Sequence, residues 1–183
     1  MYHYAVFLRG INVGGVKILM KDLTQLFEQA GFSRVRTLLA SGNVVFASQH
    51  ATASKIKEIC EEVLARAYAP GIKVIVQDSD QLEAIVTGFP FSAPQDSIQR
   101  HEYLVLTESL EAATTIFAQA PTPLESERVA QLEHCICWEV PRGQSLSSPL
   151  AKHFAKVSKN YLVTTRNMNT INKACTALKL LSV

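Results

Sequence analysis

A chain of 183 residues with 48% hydrophobic and 19% charged residues can bury a sizeable core, in one large domain or two small ones, which excludes a disordered tail. Its formal charge of +2 and pI near 8.4 are too mild to predict polyanion binding from bulk electrostatics, so nucleic acid is permitted as a partner but not implied. Met1 to Tyr4 lack a secretory pattern and no apolar run approaches the roughly 20 residues that span a bilayer, so the expectation is a cytoplasmic protein without a membrane partner.

Residues 2–8 are β-rich and run into Gly10, which predicts a strand entering a glycine-containing loop. Leu23, Leu26, Phe27 and Ala30 then fall at i, i+3, i+4 and i+7, the spacing of one helical face, and Gly31 is a natural stop. Two short strands, 35–39 and 44–47, flank Ser41-Gly42-Asn43, whose small, turn-favouring residues suit a hairpin. A second helix gathers Ile56, Ile59, Cys60, Val63 and Leu64 on one face and ends before Pro70-Gly71, and 72–76 makes the next strand. Strand, helix, strand, strand, helix, strand is the order of a ferredoxin-like split βαβ unit.

A short helix over 81–86 follows, and then Phe89-Pro90-Phe91-Ser92-Ala93-Pro94 interrupts regular structure where a boundary is expected. The second half repeats the order less cleanly: a strand at 101–106, a helix around 110–118, strands near 127–131 and 134–140, then helices. The last helix carries an apolar stripe of Ile171, Ala174, Cys175, Leu178 and Leu181 that reads as packing surface. The expected fold is α+β: two ferredoxin-like subdomains with antiparallel sheets, 1–92 and 93–183, plus a C-terminal helix.

The four cysteines, Cys60, Cys135, Cys137 and Cys175, lie in core-like patterns and read as buried thiols. Cys135 and Cys137 would share one strand face, a poor start for a tetrahedral metal site. The histidines are scattered, and no hydrolase signature accompanies them. Asp78 and Asp80 open a helix, where carboxylates serve as caps, and Glu125 and Glu127 read as a solvated run. No metal or other cofactor is implied.

Three segments could carry chemistry. Leu8-Arg9-Gly10-Ile11-Asn12-Val13-Gly14-Gly15 sets a cation at a strand end before a loop whose glycines let backbone N–H groups approach an anion. Arg9 could donate two parallel hydrogen bonds to a phosphate or carboxylate, Asn12 could orient it, and Lys17 could add a mobile charge. The spacing matches neither a dinucleotide fingerprint nor a Walker loop. Gly10, Gly14 and Gly15 also have a plain structural use as positive-torsion residues of a crossover, with Arg9 paired to a carboxylate such as Asp22.

Ser41 and Asn43 would most often bond their own backbone. In a split βαβ unit, however, the end of the first strand lies beside the start of the third, which would make Arg9 and Asn43 neighbours. Thr164-Thr165-Arg166-Asn167-Met168-Asn169-Thr170 leads towards the last helix, with Thr164 or Thr165 as a cap. Arg166, Asn167 and Asn169 beside that helix N-terminus would make an anion contact.

These segments, with Met20 to Leu23, Ser41-Gly42-Asn43-Val44-Val45-Phe46 and Pro90-Phe91 in the same order, resemble the signature of the domain of unknown function 1697 family of bacterial proteins over nearly the whole chain. The resemblance implies an α+β fold with ferredoxin-like subdomains and supplies no reaction. Three functions follow as expectations. The first is a small phosphate- or carboxylate-bearing ligand held at a composite inter-subdomain site. The second is single-stranded nucleic-acid binding, with Tyr2, Tyr4 and Phe46 as stacking residues. The third is a structural protein in which the signature residues hold the two halves together.

Overall fold

The computed structural model describes residues 1–11, 16–39, 42–92 and 97–181. The first half runs β1 (Tyr2–Arg9), α1 (Met20–Gln29), β2 (Ser33–Leu38), β3 (Asn43–Ser48), α2 (Ala53–Ala67), β4 (Lys73–Asp78) and α3 (Ser79–Thr87). Its strands form an antiparallel sheet in the order β2-β3-β1-β4. The two-residue period of β1 sends Tyr4, Val6 and Leu8 to one face, where they pack with Val44, Phe46 and Val74 against Leu23 and Phe27 of α1 and Ile56, Cys60 and Leu64 of α2. Phe32 stacks on Phe46 with ring centroids 4.1 Å apart, and Phe27 meets Phe46 edge-on at 5.7 Å. β4 is an edge strand, and Glu61 of α2 covers part of that edge, accepting from Val74 N at 3.2 Å and from Lys73 Nζ at 2.7 Å.

The second half runs β5 (Arg100–Thr107), α4 (Leu110–Ala118), β6 (Arg128–Leu132), β7 (Cys135–Pro141), α5 (Pro149–Val157), β8 (Val163–Asn167) and α6 (Met168–Leu181). Its antiparallel sheet has the order β6-β7-β5-β8, the same topology as the first. Ser109 caps α4 by accepting from Ala112 N, while Ser148 caps α5 with Pro149 in the first helical turn. Val105, Ile136, Trp138 and Val140 pack against Ile116 of α4 and Leu150, Phe154 and Val157 of α5. The α+β fold with two split βαβ sheets and a C-terminal helix is therefore present. The strand β8 is an addition to the sequence reading, which passed from β7 directly to helices.

The chain divides into two compact units, Met1–Val86 with Asn169–Val183, and Thr87–Met168. These differ from the expected 1–92 and 93–183 mainly because α6 joins the first unit. Two contacts inside that unit explain the assignment: Arg34 of β2 donates to the Leu181 carbonyl, and Lys179 of α6 pairs with Glu83 of α3 at 2.7 Å. Among the described residues, no helix is long and apolar enough to cross a membrane.

Candidate functional site

The first unit ends β1 on Arg9, whose register partner on β4 is Lys73. Gly10 follows with φ +82°, a left-handed turn that glycine makes without strain. The strand is tied to the β2–β3 hairpin by Leu8 N donating to Gly42 O at 2.8 Å, and Asn43 stands opposite Phe7, two residues from Arg9. The first two signature segments thus meet at one sheet end. Asn43 is fully buried, and its Nδ2 donates to Leu38 O at 3.0 Å, closing the hairpin. Lys17 is exposed shortly before α1. Asn12, Gly14, Gly15 and Ser41 lie outside the described residues.

The duplicated topology allows a position-by-position comparison of the two sheet ends. Thr107 N donates to His134 O at 3.3 Å, so Thr107 and His134 stand where Leu8 and Gly42 stand in the first unit. Cys135 Sγ donates to Leu132 O at 2.9 Å, repeating with a thiol the bond that Asn43 makes with an amide. The hairpin-closing bond of Asn43 therefore has an equivalent in the second unit. Arg9, in contrast, has Glu108 as its counterpart, a carboxylate that accepts from Leu162 N at 3.3 Å. The cation and the glycine after it are specific to the first unit.

In the second unit, Thr164 to Asn167 form part of β8 and are not a helix cap. The β-branched Val163-Thr164-Thr165 run is the sequence signal for that strand. Arg166 lies opposite Leu104, and its guanidinium donates to Thr164 Oγ1 at 2.6 Å and Thr165 O at 3.0 Å. Burial pulls Arg166 down to about 10, so it stays protonated at neutral pH. Asn167 lies opposite Tyr103 and immediately precedes α6, as Asp78 immediately precedes α3. Asn169 falls in the first turn of α6. Asp78 caps reciprocally: its Oδ1 accepts from Gln81 N at 2.8 Å while Gln81 Oε1 accepts from Asp78 N at 3.2 Å.

Pro90-Phe91 acquires a meaning that the sequence did not supply. The Arg128 guanidinium lies 4.9 Å from the Phe91 ring centroid, donates to Ser92 O at 2.9 Å, and pairs with Glu139, which is 2% exposed. Glu139 is also the register partner of Glu102. Glu102 keeps much of its surface in solvent; its partial desolvation, then the Glu139 carboxylate, raise it above the ordinary carboxylate range, and Arg128 opposes them. A carboxyl raised in the folded state favours the fold while protonated, a contribution lost as pH climbs through the raised value. Thermal melts of Glu102→Gln should accordingly show a gain over the wild-type chain at neutral pH and no gain in acid that protonates the native carboxyl.

Other expectations change with burial. Tyr4 and Phe46 are sealed in the core beneath α1 and α2, leaving Tyr2 as the exposed member of the proposed stacking trio. The opposite sheet faces are apolar and buried as well, carrying Ala5, Phe7, Val45 and Ala47 in one unit and Leu104, Leu106, Cys135 and Cys137 in the other. Glu127 is 5% exposed and belongs to no solvated run: Leu124 N donates to its Oε2 at 3.1 Å and its own N–H returns to Leu124 O at 2.8 Å. All four cysteines are free and buried, and burial pushes the Cys60 thiol up, away from thiolate chemistry. Among the described residues, no three His, Cys, Asp or Glu side chains converge as metal ligands.

An α+β chain with two split βαβ units and these signature segments defines a class of bacterial protein of unknown function. The family described as "Protein of unknown function (DUF1697)" matches residues 1–136, and the chain belongs to it. The conserved bacterial protein SP0830 from Streptococcus pneumoniae has a similar structure: 28% sequence identity, TM-score 0.78, 98% of this chain and 99% of that one covered. An unknown protein from Galdieria sulphuraria aligns over 91% of this chain and 96% of its own with 12% identity and a TM-score of 0.28, too low to carry an argument. No curated protein matches the chain.

Proposed function

We propose that the protein binds a small anionic ligand bearing phosphate or carboxylate, with Arg9 as its principal contact and Lys17 as a mobile second charge. The observation that carries this reading is the divergence between the repeats: the same strand end bears Arg9-Gly10 in one unit and a backbone-bonded Glu108 in the other. A fold duty common to both repeats would not need the cation. Arg9 and Lys73 occupy directly opposed positions, so two cationic residues border this sheet end, with Lys73 already paired to Glu61. Arg166, with Asn167 beside it, offers the same donor chemistry in the second unit.

The test is a thermal-shift screen of phosphorylated and carboxylated metabolites on wild type, Arg9→Ala and Arg166→Ala. Loss of the ligand shift in both variants assigns both arginines to binding, and loss in Arg9→Ala alone confines the ligand to the first unit. Ligand shifts unchanged in both variants would remove the proposal. The buried bond of Asn43 to Leu38 O supports a second, structural reading of the signature. Under that reading, Arg9→Ala lowers the melting temperature without altering any ligand response.

A further inference from the structure

The two signs of charge are unevenly distributed along the chain. Residues 140–183 hold seven of its 18 Lys and Arg residues and none of its 16 Asp and Glu residues, Glu139 being the last acidic side chain. The net charge of +2 therefore conceals an acidic N-terminal stretch and a basic C-terminal one, an asymmetry that suits a polyanionic partner.

In the second unit this positive charge is concentrated on α5. Leu150, Phe154 and Val157 are its buried face, and Lys152, Lys156 and Lys159 recur at i, i+4 and i+7 on the opposite side, all three exposed. Ser158 N donates to Phe154 O and Lys159 N to Lys156 O, both at 3.2 Å, so the helical turn carries on through Lys159. The exposed cations Lys55, Arg66 and Lys179 are each matched by a glutamate, whereas the three α5 lysines make no ion pair among the described residues. Glu108, which reaches the end of this segment, is engaged with Leu162 N at 3.3 Å. The helix dipole accounts for Lys156 and Lys159 at the C-terminal end, but not for Lys152, close to the end where a cation is disfavoured.

We propose that the outward face of α5 docks on the phosphate backbone of double-stranded nucleic acid. At about 1.5 Å per residue the lysine stripe is about 10 Å long, which matches about three phosphates of one strand spaced about 3.4 Å along the duplex axis. The ammonium groups act there as point charges and read no sequence. The face carries no aromatic side chain on which an unpaired base stacks, which favours a duplex over a single strand. Its apolar residues are turned to the sheet, and Leu146, exposed in the turn before α5, is one side chain and not the apolar face that seats a helix in a bilayer. This surface shares no residue with the Arg9 strand end and does not depend on anion binding there.

Fluorescence anisotropy of a labelled DNA duplex of about 20 base pairs, titrated with the full chain across a salt series, tests this. Three phosphate contacts predict an affinity that falls about 40-fold between about 50 and about 200 mM salt. Lys152→Gln, Lys156→Gln and Lys159→Gln should each reduce that fall to about 12-fold, and the triple variant should lose duplex binding. Lys21→Gln, which removes the same charge from an exposed position on α1, should keep the wild-type salt dependence. No duplex binding by the wild-type chain at low salt would overturn the proposal. So would a triple variant that binds like the wild type, or a Lys21→Gln loss equal to that of the α5 variants. Binding to vesicles of anionic phospholipid without binding to the duplex would overturn it in favour of a membrane surface.

Discussion

Gly42→Ala should lower the stability of the chain by about 2–4 kcal/mol, the sum of a backbone and a packing penalty. Gly42 sits at φ +69°, where an L side chain is strained. A β-carbon there would also lie 2.5 Å from Ile11 Cδ1 and 3.0 Å from Leu8 Cβ. The isoleucine methyl can yield, but the Leu8 β-carbon moves only with β1. Chemical denaturation of Gly42→Ala, Ile11→Val and the double variant separates the terms. Valine removes Cδ1, so the double variant should recover part of the packing loss and none of the backbone loss. A cost below about 0.5 kcal/mol, the range of an indifferent surface change, would show that the hairpin does not need its glycine.

Arg128→Ala should cost about 2–4 kcal/mol, because it leaves Glu139 buried without its cation. The fully buried figure is discounted, since 35% of the Arg128 side chain remains in solvent. The substitution also frees Ser92 O and removes the cation above Phe91, loosening the segment that leads into β5. Adding Glu139→Gln should restore much of the loss by removing the stranded charge. Equal destabilisation in the single and double variants, read by denaturant unfolding, would mean that Arg128 acts through Phe91 and Ser92 alone.

Local pattern was enough for most of the architecture. The stripe of Leu23 and Phe27 and that of Ile56, Cys60 and Leu64 each mark a helix whose buried face is the one their spacing selects. β8 was hidden because Thr164 and Thr165 serve equally well as caps and as strand residues. Only the pairing of Thr165 with Val105 and Arg166 with Leu104 decides between those uses. Glu127 misled for a related reason: a glutamate among Leu124, Glu125 and Ser126 looks solvated, and its burial depends on a turn that sequence spacing does not reveal.

The candidate site was legible in its residue types and less so in their local bonding. Arg9 and Asn43 do fall near one sheet end, as strand adjacency in a split βαβ unit requires. The hairpin bond of Asn43 is the local use its residue type and turn position suggest, whereas its equivalence to the Cys135 bond depends on strand registers that the weakly similar repeats do not reveal in sequence.

The most direct measurement is a backbone-amide NMR titration of wild-type and Arg9→Ala protein with phosphate- and carboxylate-bearing ligands. Anion binding at Arg9 predicts saturable shifts centred on Leu8 to Ile11, Gly42 and Asn43, abolished in Arg9→Ala while the remaining spectrum stays folded. No saturable shift at those amides, or shifts that persist unchanged in Arg9→Ala, would contradict it.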